Sequence, residues 1–191
     1  TGGKYDDAYI IWVDSASTLE VAGFYSDYDG MVTAATTLSD IHSSLDFVTA
    51  TVKDTLYMLW RSDNRTLIMS RLSNEFYGDL VADFQITVSK DYRSKPLDLV
   101  VGENESVFAL YDRNYEVKRI EVDKTGAMQE AEVIFDYMNT ATTHGTVTAT
   151  YNDYGDGQYD VVVKDSSTLS LAHWNEQHGW VKDKNFFTGA K

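Results

Sequence analysis

Leu45-Asp-Phe-Val-Thr-Ala-Thr-Val52, Thr55-Leu-Tyr-Met-Leu-Trp60, Thr66-Leu-Ile-Met-Ser-Arg-Leu72 and Leu80-Val-Ala-Asp-Phe-Gln-Ile-Thr-Val88 follow one another within a single stretch of the chain. Each run is rich in β-branched and aromatic residues and bounded by turn formers, which is how strands read in a sequence. Ser62-Asp-Asn-Arg65 supplies one tight hairpin, and Asn74-Glu-Phe-Tyr-Gly78 the next. The stretch therefore predicts four consecutive antiparallel strands, the first innermost and the last outermost.

The same grammar recurs along the chain. Tyr9-Ile-Ile-Trp-Val13, Val107-Phe-Ala-Leu-Tyr111 and Tyr159-Asp-Val-Val-Val163 repeat the second strand, and acidic turns follow at Asp14, Asp63, Asp112 and Asp165. A period of roughly 50 residues in a β-rich chain is the mark of propeller blades. The third repeat gives strands at 97–101, 107–111, 117–122 and 131–136, and the fourth at 146–151, 159–163, 168–174 and a short 185–188. The first gives 9–13, 18–25 and 31–37, with no inner strand ahead of them. We therefore expect an all-β fold, a β-propeller of about four blades within one domain spanning 1–191, with repeats at about 8–52, 53–101, 102–151 and 152–191. Either Thr1 to Asp7 supplies a degenerate inner strand or, the favoured expectation, the chain is about four blades of a larger ring completed by more chain or another subunit, because an unpaired sheet edge invites association. A two-layer β-sandwich is the rival arrangement. The sole proline, Pro96, falls just before an inner strand, where it is tolerated.

Composition narrows the function classes. The 191 residues are 43% hydrophobic and 13% aromatic, and no apolar run approaches the roughly 20 residues of a membrane helix. Thirty acidic residues against 16 basic give a net charge of −14, which repels phosphate backbones and anionic membranes. Neither tight nucleic-acid binding nor membrane insertion is expected. With no cysteine there are no disulfides, thiolate metal sites or cysteine nucleophiles. Thr1, without an initiator methionine or a secretory signal, reads as part of something longer. No Gly-x-Ser-x-Gly elbow and no phosphate-binding glycine loop is present.

Two stretches carry candidate chemistry. Asn152-Asp-Tyr-Gly-Asp-Gly-Gln-Tyr-Asp160 brings oxygen side chains around glycines, a donor set suited to calcium, or else it forms a polar turn. Trp174-Asn-Glu-Gln-His-Gly-Trp180 offers two indoles flanking a polar turn, the chemistry that pairs with the flat apolar faces of sugars. Trp12 and Trp60 sit in second strands, where packing between blades is expected. His173 and His178 flank a hairpin, and the recurring aspartates cap their own turns, which argues against a hydrolytic carboxylate pair.

The first of these stretches resembles the calcium loop of FG-GAP propeller repeats, which implies Asp153, Asp156 and Asp160 as metal ligands. The second resembles the Trp and Gly-Trp turns of fucose-binding propeller lectins, which implies Trp174 and Trp180 as ligand-binding residues. Over a longer span, residues 56–71, 169–180 and, more loosely, 106–126 resemble the propeller repeats of tail nozzle proteins from short-tailed bacteriophages. That likeness implies a non-catalytic structural and interaction module in a multimeric assembly around a channel, its acidity suiting a path for DNA, in a virion or extracellular setting. The leading expectation is such a virion tail component, with other protein subunits as partners. The alternative is a carbohydrate-binding propeller lectin with a glycan partner, and a glycan hydrolase on the same scaffold comes third. No cofactor is expected beyond the calcium that the acidic loop could take.

Overall fold

The structure, a computed structural model, describes residues 8–25, 30–41, 46–52, 55–73, 79–101, 106–113, 116–136, 147–152, 158–165, 168–175 and 179–188. Four antiparallel sheets follow one another. The first holds β1 (Ala8–Val13), β2 (Thr18–Tyr25), β3 (Met31–Val32) and β4 (Thr36–Asp40). The second runs β5 (Phe47–Val52), β6 (Thr55–Arg61), β7 (Leu67–Ser73), β8 (Val81–Ser89), and the third β9 (Lys95–Val101), β10 (Val107–Arg113), β11 (Glu116–Val122), β12 (Glu132–Asp136). The fourth comprises β13 (Val147–Asn152), β14 (Gln158–Asp165), β15 (Thr168–Asn175) and β16 (Gly179–Thr188). Strand order equals chain order in the last three sheets, as each blade of a propeller requires.

The burial pattern explains why the second strands are almost wholly apolar. In β6, Leu56, Met58 and Trp60 pack against Leu19 and Val21 of the first blade, whereas Tyr57 and Leu59 pack against the third. In β10, Val107, Ala109 and Tyr111 face blade 2, and Leu110 meets Val161 and Ala172 of blade 4. A strand sandwiched between neighbours has no solvent face, so alternation disappears from its sequence. The inner strands β5, β9 and β13 lie side by side in succession, which places the hub. The sheets thus pack serially, as blades, and the two-layer arrangement is excluded.

Blade 1 departs from this plan. Its β3 and β4 both pair with β2, as one outer strand interrupted at 33–35, and β1 has β2 as its one neighbour among the described residues. Residues 1–7, where an inner strand would fall, lie outside the described residues. Tyr9, Ile11 and Val13 pack toward blade 2. The other face of β1 leaves Ile10 41% and Trp12 38% exposed. Trp12 therefore does not pack between blades as expected, whereas Trp60 is fully buried there.

Three further expectations are corrected. Pro96 lies inside β9, opposite Tyr111, where the register slips by one residue; a bulge accommodates a residue that cannot donate to the ladder. Asp112 is no turn residue but a buried member of β10, registered with Lys95 and Val117. The last strand, β16, is ten residues long rather than four. The sequence repeats and the blades are also out of step: residues 53–101 contain β6, β7, β8 and β9, so a repeat opens on the second strand of one blade and closes on the inner strand of the next.

Candidate functional site

Blade 4 carries the aromatic residues singled out in the sequence. Trp174 and Trp180 are opposite one another in the β15–β16 ladder, Tyr159 pairs with Trp174 across β14–β15, and Tyr151 pairs with Tyr159 across β13–β14. Four aromatic residues thus occupy one register row that crosses the entire blade. Directly paired positions fall on one face of a sheet. The matching rows elsewhere are mixed or aliphatic, with Ala8–Phe24–Val32 in blade 1, Thr51–Leu56–Leu72–Ala82 in blade 2 and Val101–Val107–Val122 in blade 3. Tyr151 and Tyr159 escape a linear reading because their link to the tryptophans is a matter of register, not of spacing.

Of the three carboxylates implied as calcium ligands, Asp160 lies in β14, registered with Thr150 and with His173. Asp153 and Asp156, like His178, fall outside the described residues. His173 is a half-buried strand residue rather than part of a turn. The described residues hold no group of three His, Asp or Glu side chains suited to a metal ion.

A second cluster, not anticipated from the sequence, joins blades 2 and 3. The connection from β8 to β9 is tied by hydrogen bonds: Ser94 N–H donates to the Asp91 carbonyl at 2.9 Å, Asp91 N–H to Ser89 Oγ at 3.2 Å, and the two serine hydroxyls meet at 2.8 Å. Asp91 Oδ1 accepts from the Arg93 backbone N–H at 3.1 Å and Nε at 3.0 Å. Its Oδ2 accepts from Arg93 Nη2 at 2.9 Å and from Arg113 Nε, at the end of β10, at 3.0 Å. Arg93, through its side chain and then its backbone N–H, holds the Asp91 carboxyl well below the ordinary carboxylate range, with help from Arg113. Both guanidinium side chains are 45% exposed, and the Tyr92 ring beside them is 59% exposed, with Arg93 Cζ 5.4 Å from its centroid.

An ion pair inside blade 2 is more enclosed. Arg61, at the end of β6, gives both Nε and Nη2 to Asp46 Oδ2 just ahead of β5, and its side chain is only 9% exposed. The Asp91 cluster is by contrast open to solvent.

A cavity of about 340 Å³ opens between the first two blades, lined by Ala8, Tyr9 and Ile11 of β1 and by Thr49, Ala50, Thr51 and Leu56. It borders the edge of β1 that no described strand pairs, and its lining is apolar or hydroxylic, without a carboxylate or a cation.

No family model matches the chain, and no curated protein matches it. Among solved structures, the chain is similar to a fucose-recognising, six-bladed β-propeller lectin of the fungus Aleuria aurantia, with TM-score 0.63, 12% identity, and coverage of 100% of this chain and 65% of that one. A variant of the same lectin in complex with Fucα1-6GlcNAc aligns with TM-score 0.60 at 13% identity, with the same coverage. A triple mutant of AofleA from Arthrobotrys oligospora aligns with TM-score 0.53 at 12% identity, covering 96% of this chain and 48% of that one. The chain thus spans about two thirds of the length of the Aleuria lectin. At such identities the likeness is one of architecture, and the chain is a β-propeller.

Proposed function

We propose that this chain is a carbohydrate-binding propeller module and not an enzyme. The observation that carries the reading is the Tyr151–Tyr159–Trp174–Trp180 row, aromatic at every position across blade 4. Sugar rings present apolar C–H faces that match such platforms. The architectural likeness to fucose-recognising propeller lectins supports the same reading. The carboxyls of Asp91 and Asp123 are both moved toward the ionised form. A glycosidase's general acid needs the opposite shift. Glycan-array binding by the native chain, lost on Trp174→Ala or Trp180→Ala, is the expected result; an array without hits on the native chain refutes it. For the Asn152–Asp160 loop, a calcium titration that raises the melting temperature supports ion binding at Asp153, Asp156 and Asp160, and an unchanged one leaves a plain turn.

The uncovered blade 1 favours a second reading, a module of a multimeric assembly such as a virion tail. Ile10, Trp12 and Val32 are exposed, and among the described residues one edge of β1 has no strand beside it. Native mass measurement decides: a defined multimer supports it, and a monomer at micromolar concentration counts against it.

A further inference from the structure

The joint between blades 2 and 3 has more in it than a structural tether needs. Asp91 spends both oxygens on two arginines, yet Arg113 spends only its Nε, and its two terminal nitrogens have no partner among the described residues. The anchor fixes the guanidinium plane while leaving its outer fork exposed. Such a fork matches a carboxylate bidentately. Beside it stands an exposed tyrosine on a turn held rigid by the Ser89–Ser94 pair. The local charge also runs against the rest of the molecule: Arg93 and Arg113 both bind Asp91, and Lys90 and Lys95 flank it in sequence, in a chain that carries −14 overall.

We propose that Tyr92, Arg93 and Arg113 form a binding site for an acidic sugar residue, Arg113 gripping its carboxylate and Tyr92 lying against its ring. The site rests on the carbohydrate-binding reading and names a ligand class for it, at a place separate from the blade 4 row. Arg93 neutralises Asp91, so that the Asp91 carboxylate does not repel the ligand's. Because Asp91 stays ionised throughout the neutral range, the site holds its charge there, and binding weakens with added salt as exposed charge pairs do.

The experiment is isothermal titration of the whole chain with a uronic-acid-terminated oligosaccharide and with its neutral counterpart, at low and high salt. The acidic ligand should bind more tightly, and the preference should fall by about tenfold or more in Arg113→Ala and also in Arg113→Lys, which keeps the charge but loses the fork. Tyr92→Ala should weaken binding with folding intact by circular dichroism. Neutral oligosaccharides bound at least as well as acidic ones overturn this proposal while leaving the carbohydrate reading in place. Arg113→Ala that lowers the melting temperature without changing the acidic-to-neutral ratio also overturns it, reducing the cluster to a tether. Absence of binding to either class removes both.

Discussion

Three turns share one five-residue geometry. In each, the first residue's N–H donates to the fifth carbonyl and the fourth N–H returns to the first carbonyl: Asp14 to Thr18, Ser62 to Thr66 and Asp123 to Ala127. The fourth position has positive φ every time, at Ser17, Arg65 and Gly126. At Gly126 the conformation is combined with a close approach, since a Cβ there would meet the Phe84 ring of blade 2 at 3.1 Å. Gly126→Ala adds left-handed strain of about 1–2 kcal/mol, plus displacement of that ring, and chemical denaturation should show a loss of at least that size. Asp91 gives a pH-dependent prediction. Its carboxyl is more acidic in the folded chain than the ordinary 3.8. The folded state therefore binds fewer protons, and the stability it contributes is present above about pH 4 and drains away as the pH falls below it. The melting temperature of Asp91→Asn should lie below that of the native chain at pH 7, and the gap should narrow on acidification toward pH 3.

At the scale of strands, pairing parity decides the fate of otherwise similar side chains. Trp12 and Trp60 both occupy second strands, yet Trp60 is buried between two blades and Trp12 faces outward from the first. Trp60→Ala should cost about 3–5 kcal/mol in denaturant titration. Trp12→Ala should cost about 1 kcal/mol or less, as a surface change does. Strand positions were largely legible because apolar runs between turn formers are local features. The acidic turns were less so. Asp112 was aligned with Asp63 by equal spacing, but β6 turns through 62–66 whereas β10 continues to Arg113 and only 114–115 separate it from β11. A shorter connection carries the aspartate into the strand, where, registered with Lys95, it takes the place that Arg61 holds beside Asp46 in blade 2. The binding residues were half legible for a similar reason. Trp174 and Trp180 stand out in one short stretch, whereas the Asp91–Arg113 tether spans 22 positions and the tyrosines join the row only through pairing.

For the molecule as a whole, the core runs from blade 1 to 2, 2 to 3 and 3 to 4, and no core cluster of described residues joins 4 back to 1. Four blades superpose along their full length on 65% of a six-bladed ring. An arc of that curvature is less compact than a closed disc. A compact 191-residue chain has a radius of gyration of about 16 Å. Small-angle scattering from the monomer should exceed this value, and a reading at or below it would mean that the blades close on themselves. The repeat foretold the blades, but curvature depends on how side chains wedge neighbouring sheets apart, which no single stretch of sequence encodes.

Because the duplicated unit begins within one sheet and finishes within the next, every internal boundary is crossed by unbroken backbone. Deleting or inserting one such unit would shorten or lengthen the row by a single blade while presenting the same seam to its neighbours. A gene built this way can vary its length in whole steps without inventing a new junction.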